Sequence, residues 1–221
     1  MGFLRQRLAE SDPELSASLE RSWAIAGREW LPAIKPSEGS FNSGPHLENM
    51  ERYLDEVIGG FGEIPSSRSR LSLSPAETYL LLAGVLFHDF GRIGPENEHG
   101  VVGYKMLQDR YAHLGIPSRE LARVLADFCY SHRPPKEEEV PFPVDVGHLG
   151  DAVIDPYGPI RCRSLAALIR LVDHMDSAYT RALPPYLTAS DGQGVIGLFR
   201  SVVRGVHIDQ WRAPQNLTQW L

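Results

Sequence analysis

Nine consecutive apolar residues, Tyr79 to Phe87, run directly into His88 and Asp89. The run is rich in leucine and poor in β-branched residues, and Ser74-Pro75-Ala76-Glu77 ahead of it supplies a cap, a proline for the first helical position and an early acid. It therefore reads as a helix that is apolar on every side. Such a helix belongs at the centre of a core, because it is far too short for the roughly 20 residues that a bilayer crossing takes. Other helices have to wrap around it. The ionisable pair at its end then stands where charge is costly unless it is paired or bound to a cation.

The rest of the chain offers those helices. Ser11-Asp12-Pro13 opens a helix over 13–30, with Trp23 and Trp30 placed to pack it on the core. A stretch rich in Pro, Gly and Ser precedes a helix that begins near His46, with Leu47, Met50, Leu54, Val57 and Ile58 as its apolar positions. Further helices start at His99 and after Pro117-Ser118, the latter stopped by Arg133-Pro134-Pro135. A polar insert follows up to Gly158, and a long helix then carries Leu165, Leu168, Ile169, Val172 and Asp176 on one side. The composition of Val202 to Ile208 suits a short strand. The reading is all-α: a helical bundle over 45–185, an N-terminal helix and loop over 1–44 packed on it, and an extension over 186–221 with that short β element.

The polar residues that matter fall at the ends of buried stripes. His46 lies on the line 46, 50, 53, 57, and His132 closes the line 121, 125, 128, 132. His99 opens its helix, and Asp173 and Asp176 lie near the end of the last long one. Helix neighbours point about 100° apart, so His88 and Asp89 reach one ion only where the helix ends, and Gly91 lets the chain turn there. Asp89 at a helix C-terminus opposes the helix dipole, so a compensating cation is expected nearby. Mixed nitrogen and oxygen donors suit a first-row divalent ion with positions left for water and substrate.

The order His46, then His88-Asp89, then Asp173 resembles the signature of the HD superfamily of metal-dependent phosphohydrolases, over roughly residues 40–185. The local words agree: LLAGVLFHDFGRI resembles the family's apolar helix with HD and a following Gly-Arg, ENEHGVVGYKML its Glu-His segment, and LIRLVDHMDSA its closing Asp-x-x-Asp helix. The resemblance implies an HD-domain helical bundle in which His46, His88, Asp89 and Asp173 ligate a divalent metal (Mn, Mg, Fe, Ni or Zn). It favours Asp173 over Asp176 as the ligand. His99 and His132 match positions that hold a second metal in some branches and act on substrate phosphate in others, and the supply of ligands leans towards two ions. The implied reaction is attack of a metal-activated water on the phosphorus of a nucleotide or related small phosphoester. Asp89, Arg92, Glu98, His99 and His132 are the catalytic candidates, Arg92 as a phosphate clamp and Glu98 or an unligated histidine as a proton carrier. HD domains with an Asp helix like RLVDHMDSAYTR are often found beside ATPase or chaperone-like modules.

Two alternatives stay open: an HD-type nuclease on single-stranded nucleic acid, and a non-catalytic nucleotide-binding or regulatory module. A net charge of −6 disfavours a generally basic, nucleic-acid-binding surface. Cys129 and Cys162, in apolar stretches without CxxC spacing, read as buried free thiols. His113, His148, His174 and His207 read as structural; Arg161, Arg163 and Arg181 flank the last ligand helix and read as surface charge, with a reach to substrate as the alternative. With no signal peptide and no spanning segment, a cytoplasmic protein is expected. The end of the chain just after the strand-like stretch suggests a protein partner, an oligomer or a larger system.

Overall fold

The computed structural model describes residues 2–34, 44–62, 72–95, 98–132 and 146–176. These form seven α-helices, α1 (Phe3–Ser11), α2 (Pro13–Glu29), α3 (Gly44–Gly62), α4 (Pro75–Phe87), α5 (His99–Arg110), α6 (Arg119–Ser131) and α7 (Cys162–Met175), with one antiparallel hairpin of β1 (Ala152–Ile154) and β2 (Gly158–Ile160). The described chain is thus mostly helical, as expected. The hairpin begins inside the segment that reads as a polar insert up to Gly158 and ends just past it. The strand expected at 202–208, with Arg181 and His207, lies outside the described residues.

Helix α4 occupies the centre and touches α1, α2, α3, α6 and α7. Every residue from Ala76 to Phe87 is buried. Burial of each Leu, Val or Phe side chain contributes about 1.5–3 kcal/mol, so this one element anchors the core. Its start is fixed twice. The Glu77 N–H donates to Ser74 Oγ at 3.1 Å while the Ser74 N–H donates to Glu77 Oε2 at 3.0 Å, a reciprocal cap that holds the first turn. Glu77 then accepts three bonds from Arg161, from its backbone N–H at 3.0 Å, Nε at 2.7 Å and Nη2 at 2.6 Å. Arg161 also donates to the Ser72 carbonyl at 2.8 Å. This arginine therefore ties the start of α7 to the start of α4, and a substrate contact is not needed to explain it.

The N-terminal helices belong to the same core. Leu4, Leu8, Leu15, Leu19, Ala26 and Trp30 join one apolar cluster with α3 to α7. Trp30 stacks on Phe87 and meets Phe90 edge-on. Trp23 is only half-buried, beneath the guanidinium of Arg5. Cys129 and Cys162 are free and buried. No helix among the described residues is long and apolar enough to cross a membrane.

Candidate metal centre

The ends of α4, α6 and α7 and the starts of α3 and α5 converge. His46 stands in the first turn of α3, His88 caps α4, Asp89 follows it, His99 opens α5, His132 caps α6, and Asp173 lies in the last turn of α7. All are buried except Asp173, whose side chain is 18% exposed and gives the cluster a wet edge. Gly91 has a different role from the one its turn position suggests. Its backbone is not in the left-handed region, which among the described glycines only Gly115 and Gly158 occupy. A Cβ there would lie 1.7 Å from the His99 carbonyl oxygen and 2.6 Å from the Gly103 nitrogen. The missing side chain is what lets the turn after Asp89 lie against α5.

The donors sort into two groups, each able to hold a metal ion: His46, His88 and Asp173, and Asp89, His99 and His132. In the first, His46 Nε2 lies 3.4 Å from His88 Nε2 and 3.4 Å from Asp173 Oδ1, and His88 Nε2 lies 3.9 Å from the same oxygen. In the second, His132 Nε2 and His99 Nε2 lie 3.4 and 3.9 Å from Asp89 Oδ1. Asp89 belongs to both. Its other oxygen, Oδ2, lies 3.4 Å from His88 Nε2, so one carboxylate faces each group with a different oxygen.

The imidazoles are oriented from behind. His88 Nδ1 donates to the Val85 carbonyl at 2.8 Å, His132 Nδ1 to the Cys129 carbonyl at 2.5 Å, and His46 Nδ1 to Asp176 Oδ2 at 2.5 Å. With each Nδ1 proton committed to an oxygen, the neutral ring turns an Nε2 lone pair into the cluster. His46 and His88 then aim two lone pairs at one another. That arrangement is unfavourable in a protein core unless a cation or a proton lies between them. Two nitrogens held about 2.1 Å from one ion at a tetrahedral angle stand about 3.4 Å apart. The observed separation matches, and the donor set fits a divalent metal.

Charge balance agrees. Burial pushes the Asp89 carboxyl up, but His88, His132 and Arg92 outweigh it and hold the group well below the usual carboxylate range. Asp173 is likewise held low, burial being overcome by His46 and His88. Burial disfavours the His88 imidazolium, yet Asp89 and Asp173 raise its pKa above the ordinary value. The cluster is a buried anionic hole that attracts positive charge.

Arg92 is the cation that the end of α4 demands, its Nε 2.8 Å from Asp89 Oδ1. Glu98, by contrast, is exposed at the edge of α5 and belongs to neither group. His113 pairs with Glu29 on the surface, His148 is exposed, and His174 bonds the Arg170 carbonyl within its own helix. Arg163 donates to the Leu149 carbonyl. Asp176 proves to be the residue whose place in the site the sequence leaves unassigned. It is fully buried behind His46, and its second oxygen accepts from Asn49 Nδ2 at 3.1 Å. The spacings that would have flagged it are Asp173 to Asp176 and His46 to Asn49, each three residues apart and so on one helix face.

Asp176→Asn removes the negative charge behind His46 while keeping the shape. Metal affinity is expected to fall ~10–100-fold, as on loss of other partners that orient a ligating imidazole. Competition against a chelator of known affinity measures this, and an unchanged constant would show that Asp176 only fills space.

No protein-family model, no curated protein and no solved structure matches the chain.

Proposed function

We propose that this chain is an HD-type metal-dependent phosphohydrolase that cleaves a phosphoester of a nucleotide or related small molecule. The observation that supports it most is the His46–His88 pair, with both Nδ1 protons committed and both Nε2 atoms converging at 3.4 Å beside Asp173 and Asp89. His46, His88, Asp89 and Asp173 would hold the ion, in the order of the HD signature. When bound, a divalent cation lowers the pKa of water towards neutrality and offsets charge on a phosphoryl group. The protein's own residues do the rest. Asp89 ties the two groups together, and Val85, Cys129 and Asp176 fix the ring orientations. Where no ion occupies the second group, His99 and His132 can hold or accept a proton at Nε2. The partly exposed edge at Asp173 and Arg92 is the approach for an anionic substrate, because a guanidinium there suits phosphate oxygens.

Two measurements test this reading. Elemental analysis of the purified chain is expected to find a transition metal in stoichiometric amount. A screen of nucleotides, cyclic nucleotides, small phosphomonoesters and single-stranded oligonucleotides with added manganese or magnesium is expected to find hydrolysis of a small phosphoester. Turnover confined to oligonucleotides makes the protein a nuclease instead. A chain that binds no metal, and whose Asp89→Ala variant behaves as the parent, is not a metallohydrolase.

A further inference from the structure

The two groups are built unequally. The first has rings fixed from behind and a carboxylate at its edge. The second meets Asp89 at Oδ1, which lies 3.9 and 3.4 Å from His99 and His132 Nε2, and this atom already lies 2.8 Å from Arg92 Nε. Arg92 is held to Asp89 through the backbone as well, its N–H donating to the Asp89 carbonyl at 3.0 Å across the turn Phe90–Ile93. Its side chain is 20% exposed, so Arg92 stands at the edge of the cluster rather than sealed inside it. A guanidinium and a divalent cation cannot both press on one buried oxygen without strong, poorly screened repulsion.

We infer that Arg92 stands in for the second cation: the centre takes one ion on His46, His88, Asp173 and the Oδ2 side of Asp89, and admits another at Asp89 Oδ1, His99 and His132 only when the guanidinium withdraws. The inference rests on the metal-binding reading above. It makes ion number a property set by one side chain, and it gives the centre a one-ion form in which Arg92 supplies positive charge beside Asp89. A dianionic phosphate entering at that edge offers the guanidinium a better partner than a carboxylate shared with two histidines. Ligand binding and second-ion binding then favour one another.

The test is titration of the metal-stripped full chain with Mn2+, read as free ion by electron paramagnetic resonance and as heat by calorimetry, with thermal melts as folding controls. The parent is expected to take one ion tightly and a second at least ~10-fold more weakly. Arg92→Gln, which removes the charge, is expected to tighten the second site at least ~10-fold, and Arg92→Lys, which keeps it, to stay near the parent. Adding His99→Ala to Arg92→Gln should remove the second ion alone. Two equal sites in the parent, or an Arg92→Gln titration that overlays the parent's, overturns the inference while leaving the metal centre intact. A parent that takes no ion at all overturns the metal-binding reading itself, and this inference with it.

Discussion

Asp89→Ala is expected to cost the protein both ion positions at once, whereas Asp173→Ala weakens only the first and His99→Ala only the second. The asymmetry follows from Asp89 presenting Oδ2 to His88 and Oδ1 to His132, His99 and Arg92. A residue that donates to both groups has to matter more than a partner that orients one ring, so affinity should fall well beyond the ~10–100-fold expected for Asp176→Asn. The phosphoester hydrolysis proposed above should fall to background with it. Truncation also leaves Arg92 and the nearby histidines without their anion in a buried place, which destabilises the fold, so Asp89→Asn is the better-folded comparison. Metal content by mass spectrometry after dialysis reads the result. An Asp89→Ala protein that keeps one full equivalent of metal on His46, His88 and Asp173 shows that its carboxylate does not join the groups.

What the sequence reveals of this architecture is what local physics encodes. The apolar run and its cap mark α4, and the single-sided stripes mark α3, α6 and α7, because each of these patterns repeats within one or two turns. The same stripes carry His46, His132 and Asp173 to a common end. Helix α1 escapes notice for the opposite reason. Gly2 offers no side chain to cap it, and its first N–H groups, of Phe3 and Leu4, bond instead to Asp55 of α3, each at 2.9 Å. A cap contributed from more than fifty residues away leaves no local mark. The hairpin β1–β2 is hidden because each strand has three residues and one, Gly158-Pro159-Ile160, contains two poor strand formers. Arg161 reads as surface charge in sequence and is a structural tie, since nothing near it in the chain announces Glu77. Asp176 is legible as the polar end of the last helix's apolar side and as Asp173's rival, but not as a partner of His46. The structure gives the two acids different jobs, one facing the donors and the other holding His46 in place from behind.

Gly91→Ala is expected to be the most damaging glycine-to-alanine change among the described residues, and it separates the two halves of the centre. The methyl would sit 1.7 Å from the His99 carbonyl oxygen and 2.6 Å from the Gly103 nitrogen, both backbone atoms that no rotamer change can move. Gly103 is itself tightly packed on the same side, since a Cβ there would lie 2.5 Å from Cys129 Sγ and 3.0 Å from the Gly91 nitrogen, so α5 meets α6 and this turn with no room between them. The first turn of α5 has to lift instead, carrying His99 away from Asp89. Overpacking in a core costs about 1–3 kcal/mol and more where backbone must yield, so a loss of about 3 kcal/mol or greater is expected in urea denaturation. Gly84→Ala is the control. Its methyl would meet Ile169 Cδ1 at 2.3 Å, also too close, but that atom is the end of a rotatable side chain in α7. There the clash is relieved by a rotamer change and partly offset by alanine's better helix propensity, leaving a loss of about 1 kcal/mol. Metal titration divides the outcome further. His46, His88 and Asp173 sit on α3, α4 and α7, away from α5, so Gly91→Ala protein that still folds should keep its first ion and lose the second. Equal weakening of both ions, or a variant as stable as Gly84→Ala, would mean that the turn after Asp89 is not held by this contact.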